Sequence, residues 1–88
     1  MITKILTVKN RAGIHTRPAA MIAKVAATYK SEIFFKKATM KINAKSIMGI
    51  ITLGSPYKDE ITMICNGPDE KEQATAMEKL FENRFQEV

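Results

Sequence analysis

One histidine stands in this chain, within Gly13-Ile14-His15-Thr16-Arg17-Pro18-Ala19. Pro18 marks a first helical turn, where a missing N–H costs nothing, so His15 belongs at or just before a helix N-terminus. Backbone N–H groups there have no helical partner, and with the positive end of the helix dipole they favour an anion. Arg17 adds a fixed positive charge within reach of the same point. Gly13 permits a tight approach and an unusual backbone angle. A neutral imidazole nitrogen placed this way can attack a phosphoryl group, leaving the product's charge on N–H groups and a guanidinium. No carboxylate lies nearby in sequence to orient the ring, and no serine or cysteine partner suggests hydrolysis. The residue types favour a phosphoryl carrier over a hydrolase. A plain capping or surface histidine is the competing reading, and residue types alone leave it open.

A second segment bears on chemistry through its surface. Ser46-Ile47-Met48-Gly49-Ile50-Ile51-Thr52-Leu53-Gly54 would pass for a strand, but Ser46 as N-cap and Gly54 as stop make a short helix. Such a helix carries more apolar residues than one face can bury. Ile50 and Leu53 share a face at i, i+3, which leaves Ile47, Met48 and Ile51 at least partly exposed. An apolar patch near His15, bordered by Ala20 and Lys24, reads as a docking surface, and methionine adapts to several partners. A helix buried all round is the alternative.

The remaining elements must hold these two segments in place. Ile2 to Val8 alternates and is rich in β-branched residues, as a strand is, and Asn10-Arg11-Ala12-Gly13 breaks it. A helix is expected over about Thr16–Tyr29, with Ala19, Ile22, Ala23, Ala26 and Tyr29 on its buried face. Glu32–Lys36 and Thr39–Asn43 read as a hairpin whose turn at Lys37-Ala38 lacks the Asn-Gly signal. Glu60–Cys65 is a fourth strand. Asp69 and Glu72 suggest a capping box opening a last helix with the stripe Ala74, Met77, Leu80, Phe81 and Phe85. The order βαββαβα packs as one four-stranded antiparallel sheet with three helices on one face, an α+β fold whose outer sheet face carries Thr and Lys. Strand order does not follow from pattern.

Composition narrows the classes. The 88 residues suit one domain spanning 1–88, and 45% apolar with 26% charged residues is ordinary for a globular chain. No apolar run approaches the roughly 20 residues that span a bilayer, and no signal peptide is evident, so a cytoplasmic protein without membrane insertion is expected. One cysteine makes no internal disulfide, and Cys65 reads as a small core residue; no cluster offers metal ligands and no cofactor is implied. The net charge of +5 suits an acidic partner or nucleic acid, but the basic residues are dispersed and the six aromatics do not interleave with them. A small basic nucleic-acid-binding domain is therefore the remote reading, and binding of nucleic acid is not expected. The absence of any heptad pattern, with small size, suggests a monomer.

Gly13-Ile14-His15-Thr16-Arg17-Pro18-Ala19 and Lys45-Ser46-Ile47-Met48-Gly49, with Leu53-Gly54 beyond, resemble the two signatures of the HPr family. These are the histidine-containing phosphocarrier proteins of the phosphoenolpyruvate:sugar phosphotransferase system. The likeness extends over the whole chain in length, element order and spacing between the signatures. It implies an open-faced β-sandwich in which Nδ1 of His15 takes a phosphoryl group from enzyme I and passes it to the IIA components of sugar transporters. It further implies that Arg17 neutralises phosphate charge, that Thr16 and Arg17 offer backbone N–H groups, and that the protein is a carrier acted on by enzymes. The serine matching Ser46 is, in many bacterial members, the target of an ATP-dependent HPr kinase/phosphorylase, with a transcription regulator as a further partner. A second implied role is regulatory only, without sugar transport. Ser55-Pro56-Tyr57-Lys58 departs from the glycine-rich loop common in the family, where that loop lies near the active histidine.

Overall fold

Strands arise where β-branched and aromatic residues alternate with polar ones, and helices where small and apolar residues recur every three or four. In a computed structural model, which describes residues 1–86, the order is β1 (Ile2–Thr7), α1 (Thr16–Ala27), β2 (Glu32–Lys37), β3 (Met40–Asn43), α2 (Ile47–Leu53), β4 (Glu60–Asn66) and α3 (Glu70–Glu82). A one-turn segment, Arg84–Gln86, closes it. The strands form one antiparallel sheet in the order β1-β4-β2-β3. Leu6 opposes Ile61, Ile33 opposes Cys65, and Phe35 lies between Met63 and Ile42. The side chains of Leu6, Ile33, Phe35, Ile61, Met63 and Cys65 face inward and join one core with α1, α2 and α3. Burying each large member contributes about 2 kcal/mol.

Of the expected stripe of α1, Ala19, Ile22, Ala23 and Ala26 are buried in the core, whereas Tyr29 lies beyond the helix and is half-buried. The small residues lie where α1 packs against its neighbouring helices α2 and α3. The helix ends at Ala27, two residues short of the expected Tyr29, with Thr28 as its cap. The hairpin turn passes through Ala38 with φ of 55°, a left-handed conformation taken without glycine or asparagine. The outer sheet face is less polar than its Thr and Lys suggested. Ile5 is 65% exposed there, and Phe34 lies half-buried under the Lys41 ammonium, 4.6 Å from its ring centre.

Two expectations for the last helix are corrected. Asp69 is its N-cap residue, but its carboxylate makes no capping bond and no box with Glu72. Instead it accepts from the Lys30 and Ser31 backbone N–H groups and the Ser31 hydroxyl, while Ser31 Oγ accepts from the Asp69 N–H. Three donors from the turn before β2 outcompete one helix N–H. Glu70 turns back instead, accepting from Gly67 N at 3.1 Å. Phe85, placed in the helical stripe by spacing, lies beyond the helix; Leu80 is half-buried. Arg84, Phe85 and Gln86 take φ of 53°, 53° and 59°, which reverses the chain and drives the Phe85 ring edge-on against Phe81 at 4.8 Å. Gln73, unremarked in the sequence, is fully buried and donates to Ala26 O and Ser31 O, securing the end of α1.

Candidate functional site

The approach to His15 is built by its backbone. Asn10, buried, donates from Nδ2 to Gly13 O at 2.6 Å, and Gly13 N donates to Asn10 O at 3.1 Å, closing the turn after β1. Gly13 has φ of 74°, and a Cβ there would stand 3.0 Å from Ser55 O. Ile14 N then donates to Ser55 O at 2.8 Å, with its side chain in the core. The loop that differs from the family pattern thus packs directly on the residues before His15. The departure of Ser55-Pro56-Tyr57-Lys58 from the family's loop put a contact near His15 in doubt, yet the contact is made, through backbone atoms that do not depend on the changed side chains.

His15 is the N-cap residue of α1, with extended backbone, and its carbonyl accepts from Ala19 N at 2.9 Å. The imidazole is exposed and makes no capping hydrogen bond. The backbone N–H groups of Thr16 and Arg17 lie in the first turn, where no intrahelical acceptor exists. Arg17 lies near in sequence, but its Nη1 donates to Phe85 O at 3.2 Å, so the guanidinium is tied to the closing turn. A guanidinium has five N–H donors, and this bond uses one of them. Thr16, Ala20 and Lys24, at i, i+4 and i+8, form one exposed stripe of α1 that starts beside His15.

Ser46 caps α2, its Oγ accepting from Gly49 N at 3.1 Å, and Gly54 ends that helix with φ of 62°. Ile50 and Leu53 are buried, whereas Ile47, Met48 and Ile51 are 41%, 71% and 39% exposed. α2 packs against α1, so this apolar surface belongs to the same layer as the stripe below His15. Lys45 donates from Nζ to Tyr29 O at 3.0 Å, which holds its charge at the end of α1. Cys65 lies in the core, and burial, with a lesser push from Glu70 and Glu78, raises its thiol to about 11; it is no nucleophile near neutrality. Among the described residues no group of His, Cys, Asp and Glu is placed to hold a metal ion, and no helix is long and apolar enough to cross a membrane.

An exposed imidazole at a helix start, preceded by a pinned turn, with an exposed apolar helix face packed on that same helix, matches a known pattern. The family described as "PTS HPr component phosphorylation site" matches residues 2–83. The chain belongs to the HPr family. It is 41% identical over 87 residues to the phosphocarrier protein HPr of Treponema pallidum, covering 99% of each chain. It is 43% identical over 81 residues to the HPr-like protein Crh of Halalkalibacterium halodurans, covering 92% of this chain and 93% of that one. The crystal structure of HPr from Thermoanaerobacter tengcongensis superposes with a TM-score of 0.95 at 38% identity, covering 100% of this chain and 99% of the other. The open-faced fold, four antiparallel strands with three helices in βαββαβα order, is that of the HPr structures. The family consists of phosphocarriers of the phosphotransferase system, and Crh relatives connect it to catabolite regulation.

Proposed function

We propose that His15 accepts a phosphoryl group from phosphorylated enzyme I and passes it to the IIA components of sugar transporters. The observation that carries this reading is the exposed His15 ring at the start of α1, free of any capping bond, in a chain of the phosphocarrier family. Nδ1 attacks phosphorus as the donor's bond to it breaks, and the reverse displacement delivers the group to the acceptor. Such transfers need alignment and charge stabilisation more than covalent help from the protein. The Thr16 and Arg17 N–H groups supply part of the charge stabilisation, and the unused donors of Arg17 supply more. The partners bring the catalytic machinery, and this chain serves as substrate and carrier. They dock on Ala20, Lys24, Ile47, Met48 and Ile51, whose exposure supports that role.

Ser46 is the site of ATP-dependent regulatory phosphorylation by an HPr kinase/phosphorylase, and a transcription regulator reads the modified form. Its hydroxyl is exposed at a helix start, where added phosphate is electrostatically favoured. The same charge beside Ile47 and Met48 weakens docking to an acidic donor. Ser46→Asp is therefore expected to accept phosphate from enzyme I more slowly than the wild type, and equal rates refute the antagonism.

The decisive experiment incubates the protein with enzyme I, magnesium and phosphoenolpyruvate. One acid-labile phosphoryl group by intact mass and phosphorus NMR, absent from His15→Ala, is expected. No transfer to the folded protein by active enzyme I would sink the carrier role. The 43% identity to a Crh protein favours the regulatory-only reading as the second choice. In that case Ser46 is modified while His15 is not.

A further inference from the structure

Lys37 ends β2, far in sequence from His15, yet its half-buried side chain reaches the loop on which the approach to His15 rests. Its Nζ donates to Gly54 O at 2.9 Å and pairs with the Asp59 carboxylate. Gly54 and Asp59 are the two ends of the connection between α2 and β4. One ammonium therefore closes that loop across its base.

What the closed loop holds is the backbone that leads to His15. At its start Ser55, buried, accepts from Ile14 N at 2.8 Å. Gly13 lies so near that a Cβ would stand 3.1 Å from Pro56 Cα. At its end Asp59 O accepts from Val8 N and Lys58 N donates to Val8 O, both at 2.8 Å. The segment from Val8 to Ile14 is thus gripped at both of its ends by a loop whose own ends Lys37 ties together.

We propose that Lys37 is a positioning residue for phosphoryl transfer, acting through the Gly54–Asp59 loop to fix Ser55 O, hence Ile14 N, hence the His15 ring that follows. The inference rests on the reading of His15 as the acceptor. Lys37 makes no contact with the reacting group in this scheme. Its effect is on alignment, to which in-line transfer is sensitive, since a misplacement of about 1 Å can cost on the order of a hundredfold.

The test compares wild type, Lys37→Met, Lys37→Arg and Asp59→Asn as phosphoryl acceptors from enzyme I, with amide exchange at Ile14 followed by NMR. Lys37→Met keeps the length of the chain and loses both bonds. It should lower kcat about tenfold and leave KM within about twofold, because the docking face is untouched. Lys37→Arg should recover most of the rate, and Ile14 exchange should quicken in Lys37→Met alone of those two. A direct charge effect on the phosphate would not move that exchange. Asp59→Asn removes only the ion pair and should slow transfer by a smaller factor in the same direction, which serves if Lys37→Met does not fold. Wild-type kcat in Lys37→Met, or in Asp59→Asn where only that variant folds, overturns the proposal while leaving the carrier function intact. So does slow transfer that arginine fails to restore and that comes with unchanged Ile14 exchange. A wild-type protein that takes no phosphoryl group refutes the carrier function, and this role for Lys37 with it.

Discussion

Replacing Gly13 and Gly54 separately by alanine divides the strain of a left-handed backbone from the cost of a close approach. Both residues have positive φ, 74° and 62°. Alanine in that region costs about 1–2 kcal/mol, offset by about 0.4–1 kcal/mol from a stiffer unfolded chain. At Gly54 a Cβ meets nothing nearer than 3.9 Å. Gly54→Ala should therefore lose only about 0.5–1 kcal/mol. At Gly13 the Cβ falls 3.0 Å from Ser55 O and 3.1 Å from Pro56 Cα. These are backbone atoms, so no flexible side chain can swing aside and the loop itself must move. Overpacking of this kind adds about 1–3 kcal/mol, so Gly13→Ala should lose about 2–4 kcal/mol in all. For a chain of this size the gap between the variants corresponds to a Tm lower by about 10 °C in Gly13→Ala. Urea unfolding followed by far-UV circular dichroism measures both, with equal slopes required for the comparison. Losses that agree within about 0.5 kcal/mol would refute the steric argument and with it the tight seat of the loop on Gly13.

Acid titration reports on Asp69. The Ser31 hydroxyl first, then the Lys30 N–H, lower its carboxyl from 3.8 to about 2, so its bonds stabilise the fold fully above pH 4 and are lost as pH falls toward 2. Asp69→Asn should flatten the dependence of the urea midpoint on pH in that window, and an unchanged acid limb would contradict it. Ser46→Ala loses the cap on Gly49 N and should cost about 1 kcal/mol in chemical denaturation, whereas Ser46→Asp keeps an acceptor there and should cost less. Phe85→Ala should cost about 3–5 kcal/mol by the same measurement, since the ring is fully buried against Phe81; a loss under about 1 kcal/mol would mean that the closing turn is not docked in solution.

What the sequence revealed was local. The cap and stop around α2 needed only Ser46 and Gly54, and the split between buried Ile50 and Leu53 and exposed Ile47, Met48 and Ile51 followed from helical geometry. The buried stripe of α1 was equally plain. What it hid was long-range. The carboxylate of Asp69 spends itself on Lys30 and Ser31, a partnership no neighbouring residue announces. Periodicity put Phe85 on a helix because a left-handed turn can bring the same ring to the same core. At the site, Pro18 pointed to a helix start and so placed His15, Thr16 and Arg17 at it. The bond from Arg17 to Phe85 O and the support of Ile14 by Ser55 depend on tertiary packing.

The position of β4 between β1 and β2 has a consequence for how the chain is made. β1 and β2 are consecutive in the sequence but do not pair; each pairs with a strand that leaves the ribosome after both. Until Glu60–Asn66 has been synthesised, the only part of the sheet that can form is the β2–β3 hairpin, and a lone hairpin is marginal in water. The apolar stripes of α1 and α2 have no completed sheet to cover before then. Domain-wide folding therefore waits for the last strand, and it closes in one step around a central element that arrives late, with the slow kinetics expected of such distant pairings.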